Sequence, residues 1–150
     1  MSTATLSVAG EVVTPRQFRY DDLAALPHQI PDISALAPGR QGCAVRLRAL
    51  FDETGLGARA NHITLYADDG EYSASLPLDA VIDHAVVIYG LGDGPLPAEQ
   101  GGPMRFLIPD VTACGIGEVD ACANVKCLSR IEASDDRGPD TRPVAGDVPG

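Results

Sequence analysis

The chain has 150 residues, of which 45 % are hydrophobic and 21 % charged, with a net charge of -10. That length suits one domain able to bury roughly two-thirds of its unfolded surface. Twenty-one acids stand against eleven bases, and Lys126 is the only lysine, which excludes the clustered cations that a nucleic-acid backbone or a membrane surface requires.

Leu6 to Val13 alternates apolar and polar residues, as a half-buried strand does, and Pro15 closes it. Asp21 to Leu26 opens on acids, which suit a helix N-terminus, and stops before Pro27. Gln29 to Gly42 is rich in Pro and Gly and reads mostly as loop, with room for one strand. Val45 to Phe51 places apolar groups at helical spacing, with Gly55 and Gly57 as the stop, and predicts a second short helix. His62 to Ala67 reads as a strand, Asp68-Asp69-Gly70 as a turn, and Tyr72 to Pro77 as the return strand with Tyr72, Ala74 and Leu76 on one face.

Leu78 to Ile82 predicts a helical turn, and the β-branched run Ala85 to Tyr89 a buried strand. Beyond a stretch crowded with Gly and Pro, Met104 to Ile108 reads as a strand ended by Pro109. Val125 to Glu132 reads as the last. Residues 134–150 have little to bury and are expected to form a disordered acidic tail, leaving 1–133 as the domain. Many short strands with short helices among them predict a single mixed-sheet α+β domain rather than a doubly wound one.

No signal peptide is read at Met1 to Thr5, and no apolar run nears the ~20 residues of a membrane span. Cytoplasm is the expected compartment, where four cysteines would be thiols.

Chemistry-bearing residues are sparse. Cys114, Cys122 and Cys127 lack the close pair with which zinc sites begin, and Cys43 lies far upstream. Their plain reading, with Cys127 in the core and Cys122 a loop thiol, outweighs structural zinc or a functional thiol. His28, His62 and His84 each stand alone. There is no Gly-x-Ser-x-Gly elbow and no phosphate loop, since the glycines at 90–94 run into Pro95 where a helix should start. These residues assemble no complete catalytic centre. Arg105 alternates with Met104 and Phe106, and Lys126 with Val125 and Cys127. Each strand would thus show one cation from an apolar surface, either salt-bridged or aimed at an anion such as a ligand phosphate, and spacing favours the salt bridge.

The ordered segments resemble the molybdopterin-binding domain of the sulfite oxidase superfamily over residues 6–133. The carriers are Val8-Ala9-Gly10-Glu11-Val12, the Asp21 to Pro27 helix, Ala44-Val45-Arg46-Leu47 (similar to the family's Gly-Val-Pro-Leu) and the Asp69-Gly70 to Pro77 hairpin. Gly94-Pro95-Leu96-Pro97, Gly101-Gly102-Pro103-Met104-Arg105 through Pro109, and Asn124-Val125-Lys126 before Arg130-Ile131-Glu132 complete them.

The resemblance implies mixed β-sheets with short helices and a phosphorylated pterin dithiolene as cofactor. Lys126 would lie near that molybdopterin, with Arg105, Asn124 and Cys122 as further contacts. Catalytic members hold molybdenum through a cysteine upstream of the Gly-Val-Pro-Leu segment. Here that region is Pro31-Asp32-Ile33-Ser34-Ala35-Leu36, and Cys43 comes too late. Cys127 stands where an aromatic is usual, and Glu71 shifts the Asp-Gly-Tyr turn. Two readings follow: a pterin-binding oxidoreductase-like domain working with a protein partner, or a non-catalytic descendant serving as a binding module. A small zinc or thiol protein is the third.

Overall fold

The computed structural model describes residues 5–36, 41–67, 73–91, 94–97, 104–108, 128–136 and 138. Strands β1 (Leu6–Gly10), β2 (Arg16–Phe18), β5 (His62–Ala67), β6 (Ser73–Pro77) and β10 (Leu128–Ser134) build one sheet in the order β2-β1-β10-β5-β6. β1 and β10, near opposite ends of the chain, pair in parallel, and the other neighbours run antiparallel. A second, antiparallel sheet is formed by β3 (Gln29–Ile30), β4 (Cys43–Arg46) and β7 (Val86–Leu91), whose far edge is shared by β8 (Gly94–Pro95) and β9 (Arg105–Leu107). Helices α1 (Tyr20–Ala24), α2 (Leu47–Thr54) and α3 (Leu78–Val81) are short. This is the expected mixed-sheet α+β arrangement.

The main core lies between the sheets. Leu6, Val8, Ile63, Leu65, Leu76 and Ile131 come from the first, and Val45, Val87 and Phe106 from the second, all packed with Leu47, Leu50 and Phe51 of α2. Burial of Leu47, Leu50, Phe51 and Thr54 follows the helical period, so α2 forms because one stripe of it has somewhere to go. Where a helix was expected from Val45, the strand β4 instead continues to Arg46 before the helix begins. Val45 pairs with Val87 on one side and Gln29 on the other. Two ladders satisfy its backbone, and a β-branched side chain suits a strand buried between them.

The first strand ends at Gly10, and Val12 makes only an isolated bridge to Leu56. The last runs to Ser134, beyond the expected end at Glu132. The expected turn at 68–70, Tyr72, the start of the last strand and most of the tail lie outside the described residues. Among the described residues no helix is long and apolar enough to cross a membrane.

Candidate cofactor site

The second sheet has two covered faces. One carries Val45, Val87, Tyr89 and Phe106 into the main core. The other carries Ala44, Val86, Ile88 and Leu107 into a smaller cluster with Ile33 and Leu96, flanked by Ile30, Leu36 and Leu91. Arg105 stands opposite Ile88 in the β7–β9 register, and Leu107 opposite Val86. Directly opposed residues share a face, so Arg105 belongs to the smaller cluster. Its guanidinium is not displayed from an apolar surface, as alternation alone implied, but buried, with the residue 9 % exposed. The reason is the second cover, which a period-two pattern does not reveal.

The start of β9 is tied to the last strand: Leu128 donates its backbone N–H to the Met104 carbonyl at 2.8 Å. The two sequence stretches singled out for a cofactor, 101–109 and 122–132, therefore meet at this bond. Lys126, Asn124 and Cys122 lie outside the described residues, as do Cys114 and Cys127.

The segment that the resemblance sets against the family's metal-ligating position, Pro31 to Leu36, forms a single 3-10 turn at Ile33–Ala35. Asp32 caps it, accepting from Ser34 N–H at 3.0 Å and Ser34 Oγ at 2.6 Å. The Ser34 hydroxyl, and then its N–H, hold the Asp32 carboxyl below the usual range. Ile33 is wholly buried against the face that carries Arg105. The turn therefore presents an apolar side chain and a carboxylate already engaged, and no thiolate.

Cys43 does not substitute for it. A bulge separates Cys43 from Ala44, and Cys43 packs on the main core instead, across the sheet from Arg105. There it neighbours Tyr89, whose hydroxyl donates to Gln29 Oε1 at 2.5 Å. Gln29 Nε2 donates in turn to the Leu23 and Leu26 carbonyls at 2.7 and 2.9 Å, which fastens β3 beneath the end of α1. Tyr20 meets Tyr89 edge to face at 5.5 Å between centroids. Burial, and then the Cys43 thiol beside it, push the Tyr89 hydroxyl well above the usual tyrosine range. Sequence reasoning missed this network because its members are far apart along the chain.

Among the described residues no cluster of three His, Cys, Asp or Glu side chains could hold a metal ion. His28 takes a positive φ of 62° and its carbonyl accepts from Arg46 N–H at 3.2 Å. That is a backbone role.

Residues 43–141 match the family described as oxidoreductase molybdopterin binding domain. No curated protein sequence matches the chain. Among solved structures, the sulfane dehydrogenase SoxCD from Paracoccus pantotrophus superposes with a TM-score of 0.68 at 20 % identity, over 89 % of this chain and 39 % of that one. The likeness is one of fold, and the chain spans well under half of that relative.

Proposed function

From a chain that belongs to the oxidoreductase molybdopterin-binding domain family, we propose that its function is to hold a phosphorylated pterin beside Arg105, at the edge of the second sheet where β9 meets the start of β10. The observation that carries this reading is the buried Arg105 at that edge, beside the Met104–Leu128 bond that ties in the strand following Lys126. A chain of net charge -10 offers a phosphate no general attraction, so binding must rest on local cations. Arg105, Lys126, Asn124 and Cys122 are the proposed contacts. Each charge-assisted hydrogen bond to a phosphate is worth about 1.5–3 kcal/mol.

The pterin and the metal are separate questions. A guanidinium suits the phosphate. The 3-10 turn at Ile33–Ala35 does not suit the metal, since it brings no thiolate to the face. When bound, a molybdenum dithiolene supplies two-electron and oxygen-atom chemistry, but no step of such chemistry is assigned to this chain's residues. Redox exchange with a protein partner, and a cytoplasmic setting that keeps Cys43 a free thiol, belong to the same proposal.

The apolar burial of Ile33 supports one other reading, a non-catalytic descendant indifferent to the pterin. The test is co-expression with the cofactor-synthesis enzymes, then pterin fluorescence after denaturation and oxidation, with molybdenum counted separately. Near-stoichiometric pterin that falls at least tenfold in Lys126→Ala is expected. Pterin-free parent protein would leave the binding-module reading standing.

A further inference from the structure

Along β10, Arg130 stands opposite Tyr66 and Leu128 opposite Ala67, so Ser129 is an extra residue, a β-bulge in the ladder with β5. Its effect is read in the core. Ile131 and Ala133 point inward, as alternation requires, and Leu128 lies in the same core although it is three residues from Ile131. Without the extra residue, a period of two would turn Leu128 to the outer face. The Ser129 hydroxyl pins the bulge by donating to the Tyr66 carbonyl at 3.3 Å.

The bulge falls where the two sheets join. Pairing of β10 with β1 starts only at Arg130, opposite Ser7. Just before it, the Leu128 N–H donates to the Met104 carbonyl at 2.8 Å, and Leu128 and Met104 are both buried in the main core. Arg105 follows Met104 directly and takes its place opposite Ile88 on the other face of the second sheet. Leu128 thus fixes the start of β9 by its amide and its side chain together. Both depend on the extra residue.

We propose that Ser129 is a positioning residue for Arg105: its hydroxyl holds the bulge that delivers Leu128 to Met104 and so sets where the guanidinium stands. This role rests on the reading that Arg105 holds a pterin phosphate. A charge-assisted bond to phosphate depends on distance and direction, so a small drift of β9 weakens it without unfolding either sheet. Ser129→Thr keeps the hydroxyl and suits a strand, whereas Ser129→Ala removes it.

The test uses the full chain co-expressed with the cofactor-synthesis enzymes, with pterin content and amide hydrogen exchange read on the same preparations. Ser129→Ala is expected to speed exchange of the Leu128 amide at least tenfold while Ile131 and Ala133 keep their protection, and to lower pterin content at least threefold. Ser129→Thr should restore both. In an Arg105→Met background, Ser129→Ala should lower pterin no further, because residues acting through one another do not add. Unchanged exchange at Leu128, full pterin in Ser129→Ala, or a further loss in the Arg105→Met background would overturn the role and leave pterin binding itself standing. So would equal acceleration at Leu128, Ile131 and Ala133, since the hydroxyl would then be an ordinary tie of the strand. A parent without pterin overturns the binding reading, and this role with it.

Discussion

Among the described residues, Arg105 and Tyr89 are buried polar side chains on opposite faces of the second sheet, and each carries a separate consequence. For Arg105, the conservative and truncating replacements should part company. Arg105→Met removes the charge and the fork, and is expected to lower pterin retention at least tenfold, while Arg105→Lys, which keeps a point charge without the bidentate geometry, should retain an intermediate amount. Equal pterin content in all three proteins would remove Arg105 from the site.

Tyr89 speaks to stability instead. Tyr89→Phe leaves Gln29 Oε1 without its donor, a loss of about 1–3 kcal/mol readable as a lower urea midpoint. Because burial and the Cys43 thiol hold the hydroxyl proton more tightly in the folded chain, the contribution is complete below the unfolded tyrosine value of ~10. It is lost as pH rises through the folded value. Tyr66 shifts the same way, through burial and then the charge of Glu132. The parent should therefore lose stability above about pH 10, and Tyr89→Phe should lose less. Parallel declines would place the effect elsewhere.

At the scale of elements, the junction between β4 and β7 depends on Gly42. It holds a φ of +122°, and a Cβ there would come within 2.5 Å of the Gly90 carbonyl oxygen. Gly42→Ala must therefore move the approach to β4, costing on the order of 1–3 kcal/mol for the backbone strain alone. The lowered midpoint in denaturant is the readout. In α2, Leu50→Ala empties a wholly buried position and should cost about 2–5 kcal/mol.

These elements also show where the sequence was readable. His62–Ala67 and the Ala85–Tyr89 run, which the strand Val86–Leu91 overshoots by two residues, were legible because a β-branched or alternating stretch between turn residues has few other ways to bury itself. The split of Val45–Phe51 into strand and helix was not. Val45 and Leu47 fit either period, and only the partners Val87 and Gln29 decide it.

The whole molecule closes on the parallel pairing of β1 with β10. The match to the molybdopterin-binding family begins at residue 43, yet Leu6, Val8, Phe18 and Leu23 are wholly or almost wholly buried in the shared core. A fragment comprising residues 43–150 would expose β10 along the edge where β1 belongs, and is expected to show no cooperative thermal transition by circular dichroism. A sharp transition in that fragment would mean the first strand is dispensable. Pairing across nearly the full chain also predicts folding in milliseconds to seconds rather than microseconds, since long loops must close before the sheet repays them.

The sequence by itself determined the class of fold, the net charge of -10, and the lack of a cysteine between Pro31 and Leu36. Those follow from residue type and local period, which need no partner to be read. Tertiary structure alone decided that Arg105 is buried, that Cys43 turns away from it across the sheet, and that the Gly138 N–H meets Ser75 Oγ. A strand's period of two says which residues share a face. What covers that face is settled by segments distant in the chain.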